Sequence, residues 1–275
     1  MRRRILLILC LLCGTFRLFA SDTLRVLCIG NSFSWDAVEQ ELVPLCNATP
    51  LCEGGVQPII IGNLYYGGCS LAQHYDFLAR DTAAYEFRYL TNDNAVCYKS
   101  FSLSRALREY RWDYISFQQA SHDSGISSTY EPYLSSLIDS VLCHQPAARL
   151  CWHMTWSYAQ DARHPAFPLY RSDQRIMDDS IACATETMLR NHPYLLLIPC
   201  GKAITLARKK VGDTLCRDGY HLNYTYGRYL ASCVWYEVLT SKDVRRNPYC
   251  SPGMSRRQQR TMQRIAHRAA VKKRE

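Results

Sequence analysis

The segment Leu24-Arg25-Val26-Leu27-Cys28-Ile29-Gly30-Asn31-Ser32-Phe33-Ser34 joins a short, nearly continuous apolar run to a glycine-bordered turn. The apolar run is typical of a buried strand, and the residues after it begin a helical pattern. A serine at such a turn is open to substrate and lies near the partial positive charge of a helix start. The segment therefore predicts Ser32 as a nucleophile. Ser34 is a good N-cap for a helix over residues 35–46.

A second cluster, Asp218-Gly219-Tyr220-His221, lies just before a final helical pattern over residues 226–239. An Asp-x-x-His pair is common by chance, so its position carries the inference. The chain order Ser, Asp, His is one that known catalytic triads use. His221 is predicted as the base for Ser32, and Asp218 as the acid that orients it.

Further short apolar runs follow at residues 56–61, 114–117, 149–154 and 194–198, with helical patterns between them. Strands that alternate with helices predict a doubly wound parallel sheet of about five strands in a three-layer α/β/α fold. Residues 85–98, with Asn92-Asp93-Asn94 between aromatic and β-branched residues, predict an inserted hairpin.

In such a sheet, ligands bind beyond the carboxyl ends of the strands. We therefore expect chemistry in residues 30–34, 63–71, 118–124, 155–161 and 199–203. Aromatic residues near these ends would stack on sugar rings, line an acyl pocket or pack in the core; they are Tyr65, Tyr66, Trp152, Trp156 and Tyr158. Asn31, Tyr66 and Trp156 are predicted to contact substrate, whereas His153 is predicted as a structural histidine.

These motifs resemble those of the SGNH (GDSL-like) hydrolase superfamily, and most closely a group of exported bacterial proteins within it. The resemblance covers residues 24 to about 240. The first family block, Gly-Asp-Ser-x-Ser, is matched with Asn31 in place of Asp, and the last, Asp-x-x-His, is matched by residues 218–221. The resemblance implies a flavodoxin-like fold, with Ser32, His221 and Asp218 as nucleophile, base and orienting acid.

The resemblance also implies an oxyanion hole, built from the amide of Ser32 and from a glycine amide after the second strand. Gly68, in Gly67-Gly68-Cys69-Ser70, occupies that place. The third family block, Gly-x-Asn-Asp, is replaced by residues 118–123, which read Gln-Gln-Ala-Ser-His-Asp. Register nominates His122 as the missing donor, and side-chain chemistry nominates Gln118 or Gln119.

Residues 1–20 have the basic and apolar regions of a secretory signal peptide, with Leu18-Phe19-Ala20 as its cleavage site. We expect a secreted or periplasmic protein without a transmembrane span in its mature form. The net charge of +9 is concentrated in this signal and in a basic C-terminal tail, residues 255–275, leaving the body, residues 21–254, close to neutral. The tail predicts a weakly amphipathic helix, and nucleic-acid binding is not expected.

The sequence has 14 cysteines. Cys28, Cys151 and Cys200 fall in strand patterns as small buried residues. In an exported protein, Cys46 with Cys52 and Cys69 with Cys97 are candidate disulfides, although the sequence does not fix the pairing. Zinc-binding motifs of the His-Glu-x-x-His or paired Cys-x-x-Cys kind do not occur in the mature sequence, so neither metal nor cofactor is expected.

The sequence thus predicts an exported serine esterase that removes short acyl groups, most readily acetyl, from a carbohydrate or glycan. The expected partner is an acylated carbohydrate or another small ester. The alternatives are a lipid-acyl hydrolase and a non-catalytic glycan-binding module that retains the fold.

Overall fold

A seven-stranded sheet forms the centre of the protein, whose residues 23–271 are described by a computed structural model. The strands are β1 (Leu24–Gly30), β2 (Ile59–Tyr65), β3 (Tyr85–Leu90), β4 (Ala95–Phe101), β5 (Tyr114–Phe117), β6 (Arg149–His153) and β7 (Leu196–Ile198). Their order across the sheet is β4-β3-β2-β1-β5-β6-β7. Strands β2, β1, β5, β6 and β7 are parallel, and β3 and β4 pair antiparallel at one edge.

The doubly wound α/β fold predicted from the sequence is confirmed, with one difference in strand number. The five predicted parallel strands are present, and the predicted hairpin adds two strands to the same sheet. The second strand was predicted too early, because β2 runs from Ile59 to Tyr65. It continues through Gly62 and the buried Asn63, which do not belong to an apolar pattern.

Nine α-helices pack around this sheet in the described part of the chain. They are α1 (Ser32–Val38), α2 (Leu42–Asn47), α3 (Leu71–Ala79), α4 (Leu103–Glu109), α5 (Tyr133–His144), α6 (Gln174–Asn191), α7 (Cys200–Val211), α8 (Tyr226–Thr240) and α9 (Arg256–Ala270). Helices α1, α2, α7, α8 and α9 pack together, as do α3, α4 and α5, which gives the layers on either side of the sheet.

The helix after β1 starts earlier than the sequence suggested. Asn31 is its N-cap and accepts from the Phe33 amide, so Ser34 lies inside the helix and is not the cap. The Ser34 hydroxyl is buried and lies within hydrogen-bonding distance of two acceptors, the Asn31 carbonyl at 2.8 Å and Asn63 Oδ1 at 2.9 Å. The predicted single helix is divided into α1 and α2.

The carboxyl ends of the parallel strands meet at one edge of the sheet. Strand β1 lies between β2 and β5, and the crossover from β1 to β2 and the crossover from β4 to β5 pass on opposite faces of the sheet. A crevice opens at this switch point in doubly wound sheets. The turn after β1, which carries Ser32, is therefore at the position where such folds bind ligands.

Most of the predicted basic tail forms helix α9. Its capping box joins Ser255 and Gln258, and it packs on α7 and α8 through buried side chains that include Met262 and Ala266. The predicted signal peptide lies outside the described residues. Within residues 23–271, no helix has the length and apolar character needed to cross a membrane.

The cysteines of the described segment are all free thiols. Cys46 and Cys69 are buried, whereas Cys52 and Cys97 are exposed, so both candidate disulfide pairs join a core residue to a surface residue and neither is formed. Cys28, Cys151 and Cys200 are buried as expected, and burial raises the pKa of the Cys28 and Cys151 thiols to about 12.

Candidate active site

The turn between β1 and α1 presents Ser32 at the first position of the helix. As a first helical residue, Ser32 has an amide with no carbonyl one turn earlier to receive it. The turn requires glycine at position 30, since a Cβ there would lie 2.5 Å from Ser34 Oγ and 2.9 Å from Gln118 Oε1. This close packing fixes the backbone from which Ser32 projects.

Asn31 joins three parts of the site through its side-chain amide. Its Oδ1 accepts from the Phe33 amide at 3.0 Å and from Gln118 Nε2 at 2.7 Å, and its Nδ2 donates to the Cys69 carbonyl at 3.1 Å. A carboxylate cannot donate, which explains why asparagine suits this position where the superfamily pattern has aspartate. Asn31 is buried, so the prediction that it contacts substrate is replaced by a supporting role within the turn.

Asp218 and His221 form the pair predicted from the sequence. His221 Nδ1 lies 2.7 Å from Asp218 Oδ2, while Asp218 Oδ1 accepts from the backbone amides of His221 at 2.8 Å and Tyr220 at 3.2 Å. Burial alone would raise the pKa of Asp218, but the hydrogen bonds from His221 and from these amides hold it below its ordinary value. The carboxylate is therefore ionised at neutral pH, and it keeps the His221 proton on Nδ1 and leaves Nε2 as the acceptor.

Buried groups hold the backbone of the Asp218–His221 segment. Trp156 Nε1 donates to the Tyr220 carbonyl at 2.8 Å, and the Ala159 amide donates to the Gly219 carbonyl at 2.6 Å. The Trp156 ring is fully buried and stacks on Phe33 at 4.2 Å. Trp156 thus supports the segment from below, which corrects its prediction as a substrate contact.

Phe33 connects the turn that carries Ser32 with the Asp218–His221 segment. The rings of Phe33 and His221 meet edge to face with centroids 6.2 Å apart, and Phe33 follows Ser32 directly. Among the hydrogen bonds of residues 23–271, none joins Ser32 Oγ to His221 Nε2. In unliganded enzymes this contact is often long and shortens when substrate binds.

Gly68 lies in an exposed turn closed by a hydrogen bond from the Cys69 amide to the Tyr66 carbonyl at 3.2 Å. Its φ of +65° lies in the left-handed region that favours glycine, and a Cβ there would meet no atom within 4 Å. Open space therefore adjoins the Cα of Gly68. Tyr66 is partly exposed beside it, with its ring against Phe77, and remains a predicted substrate contact.

Two of the three side chains predicted as oxyanion donors form hydrogen bonds within the protein instead. Gln119 is buried; its Oε1 accepts from the Leu71 amide, and its Nε2 donates to the carbonyl and hydroxyl of Thr129. Gln118 is also buried, with Nε2 bonded to Asn31 and Oε1 3.1 Å from His153 Nδ1. Both predictions as oxyanion donors are therefore corrected in this structure. His122 is the one of the three whose side chain reaches solvent.

A group of polar aromatic residues adjoins His221, and the sequence interpretation missed one of its members, His164. The Tyr220 ring lies between those of His221, at 4.3 Å, and His164, at 5.0 Å. Burial, together with the charges of His122 and His221, lowers the pKa of His164. His164 Nδ1 accepts from the Ala166 amide at 3.2 Å, which places its proton on Nε2, 3.5 Å from the Tyr158 hydroxyl.

His164 lies between β6 and α6 in a segment without strand or helix periodicity, so no local pattern pointed to it. The pattern also gave no reason to select Asp36, the buried carboxylate of α1. Its partners come from residues 217–228, far along the chain.

The sheet order and the placement of the turn after β1 define the fold of the SGNH hydrolases. A structure described as a putative SGNH hydrolase from Slackia heliotrinireducens superposes with a TM-score of 0.53 at 21% identity, over 79% of this chain and 99% of that one. A carbohydrate esterase family 3 structure from Talaromyces cellulolyticus gives 0.50 at 12% identity, over 78% and 96%. At these identities the likeness is one of fold.

Within that class, the chain belongs to the family described as Domain of unknown function (DUF4886), whose model matches residues 25–270. A crystal structure of a DUF4886 family protein from Bacteroides uniformis ATCC 8492 is 40% identical, with a TM-score of 0.85 over 90% of this chain and 94% of that one. No curated protein matches the chain.

Proposed function

We propose that this protein is an exported serine esterase that hydrolyses short-chain acyl esters of a carbohydrate through Ser32, His221 and Asp218. The observation that carries the proposal is the 2.7 Å contact between His221 Nδ1 and Asp218 Oδ2, on a segment that meets the start of α1 at Phe33. A protein that only binds a glycan does not need an ionised carboxylate hydrogen-bonded to a histidine. A general base needs one to fix its tautomer.

In the proposed reaction, His221 Nε2 takes the hydroxyl proton of Ser32 as the Ser32 oxygen attacks the acyl carbonyl. The tetrahedral oxyanion is bound by the amides of Ser32 and Gly68. His221 then gives the proton to the leaving alcohol, and water releases the acyl group from Ser32 in a second, equivalent cycle.

His122 is the proposed third donor to the oxyanion. Gln118 and Gln119 have internal partners, whereas the imidazole of His122 is partly exposed and lies 3.5 Å from Asp123. Removal of one oxyanion donor costs about 10²- to 10³-fold in kcat. If His122 fills this role, His122→Ala should therefore lower kcat at least about tenfold. This criterion lies well below the loss expected for a true oxyanion donor.

The residues beside His221, which gives its proton to the leaving alcohol in the proposed reaction, support a carbohydrate substrate. Tyr220 and His164 give an aromatic face and a neutral N–H donor beside His221, a combination that suits sugar rings and their hydroxyl groups. The carbohydrate esterase with the same fold is in agreement with this assignment. A lipid substrate would need a larger apolar surface than these residues offer.

A non-catalytic glycan-binding role is the second candidate, favoured by the internal hydrogen bonds of Gln118 and Gln119. Hydrolysis of a short-chain aryl acetate and covalent labelling by a fluorophosphonate separate the two functions. The wild-type protein should show both reactions, Ser32→Ala neither, and Ser140→Ala, on helix α5, both at the wild-type rate. A folded wild-type protein without turnover or labelling would refute the esterase.

A further inference from the structure

Asp36 is a carboxylate with no solvent exposure at the contact between helix α1 and residues 217–222. It follows Ser32 by four residues in α1, so the two side chains project from the same face of the helix. That face meets the segment that contains Asp218 and His221. Asp36 therefore lies one helical turn behind the proposed nucleophile and beneath the proposed base.

Both ends of the Asp218–His221 segment are bonded to this one carboxylate. On one side, Arg217 Nη1 lies 3.0 Å from Asp36 Oδ1; on the other, the Leu222 amide donates to Asp36 Oδ2 at 2.7 Å. Arg217 also closes the segment on itself, because its side chain donates to the Leu222 carbonyl and its backbone amide donates to the His221 carbonyl at 2.8 Å.

A third partner ties the same carboxylate to helix α8. Arg228 Nη2 lies 2.6 Å from Asp36 Oδ1, and this side chain is almost completely buried. Its guanidinium also stacks over Trp35 of α1, at 5.0 Å, and over Tyr224, at 4.5 Å. Two guanidiniums and one amide thus contact the buried carboxylate, and each holds a different part of the chain on α1.

We propose that Asp36 is a positioning residue that sets the distance between Ser32 and the Asp218–His221 pair. In its catalytic aspect the inference rests on the function proposed above. The carboxylate fixes both flanks of the segment, Arg217 and Leu222, to the helix that begins with Ser32. A displacement of about 1 Å in such a geometry lowers a rate by about 10²-fold.

The test is Asp36→Asn, which keeps the side-chain shape. The new amide turns an N–H group toward one of the groups that donate hydrogen bonds to Asp36. We expect kcat for an aryl acetate to fall by about 10²-fold while KM stays within about threefold, because Asp36 does not touch substrate. The proton NMR resonance of the His221 Nδ1–H, bonded to Asp218, should shift or broaden in the variant.

The matched control is Glu237→Gln in α8, which also replaces a buried carboxylate by its amide. Glu237 Oε1 lies 2.6 Å from His267 Nδ1, at the contact with α9. This variant should keep kcat within about twofold and leave the His221 resonance in place. The inference is overturned if folded Asp36→Asn keeps kcat within about threefold and the resonance is unchanged.

Arg217→Lys decides the question if Asp36→Asn does not fold. A lysine keeps the positive charge but cannot contact Asp36 and the Leu222 carbonyl as the planar guanidinium does. A lower kcat and a shifted His221 resonance support the inference, and wild-type values for both overturn it. A wild-type protein without esterase activity refutes the proposed function, whereas the resonance still tests the positioning by Asp36.

Discussion

Replacement of Asp218 by asparagine separates the two roles of this side chain. Asp218 Oδ1 accepts from the backbone amides of Tyr220 and His221, and an asparagine oxygen can accept from both in the same way. Asp218 Oδ2 faces His221 Nδ1 at 2.7 Å, where asparagine places an N–H group. His221 Nδ1 must then accept, its proton moves to Nε2, and Nε2 can no longer take the proton of Ser32.

We expect kcat of Asp218→Asn to fall by about 10³- to 10⁴-fold, which corresponds to about 4 to 5.5 kcal/mol of transition-state stabilisation. The upper value is the loss found when the orienting aspartate of a serine-protease triad is replaced by asparagine. KM should stay within about threefold, because the carboxylate faces the imidazole and not the substrate.

The assay is steady-state hydrolysis of an aryl acetate, with thermal unfolding to confirm the fold. Asp173→Asn is the control, since Asp173 Oδ1 likewise accepts a backbone amide, from Ile176 at 2.9 Å, but caps helix α6 and faces no histidine. That variant should keep the wild-type rate. A kcat for Asp218→Asn within about tenfold of wild type would refute the assigned tautomer of His221.

Three further predictions follow from buried polar contacts. Asn31→Asp removes the donor to the Cys69 carbonyl and should lower the free energy of unfolding by about 1 to 3 kcal/mol in urea titrations; no loss would contradict the role given to this amide. Trp156→Phe keeps an aromatic ring on Phe33 but removes the donor to the Tyr220 carbonyl, so kcat should fall several-fold while labelling of Ser32 persists, and a wild-type kcat would argue against this support. Burial lowers the pKa of His74 to about 3, so between this value and the ordinary value near 6.5 the unfolded chain binds the proton and stability falls as pH falls. His74→Asn should reduce the slope of unfolding free energy against pH, measured from pH 6 to 4, by about 1 kcal/mol per pH unit, and an unchanged slope would show that His74 does not stay neutral.

The sequence predicted the elements whose pattern is local. Strand β1 is buried on both faces and reads as a continuous apolar run. The hairpin of β3 and β4 has polar turn residues between its strands, with the Thr91 amide bonded to the Asn94 carbonyl at 2.8 Å. The contact of Asp218 with His221 was also predictable, because the two residues are separated by a single short turn.

Contacts between distant segments were not predictable in the same way. Asn63 lies inside β2 because its side chain forms hydrogen bonds with Ser34 of α1 and with Glu39, the residue after that helix, and no pattern around residue 63 reveals these partners. On the basis of the sequence, the side-chain amides of Gln118 and Gln119 were available as hydrogen-bond donors to the oxyanion. In the structure they are bound by Asn31 and Thr129, and the fold alone determines those partners.

The hydrogen-bonded chain from His153 through Gln118 and Asn31 to the Cys69 carbonyl contains no charged group. Burial lowers the pKa of His153 to about 3, and the two amides do not titrate. Acidification to about pH 5 therefore leaves the spacing between the Ser32 turn and the Gly68 turn unchanged. An aspartate at position 31 would link that spacing to proton uptake. With asparagine there, proton uptake in mild acid does not act on the spacing between these two turns.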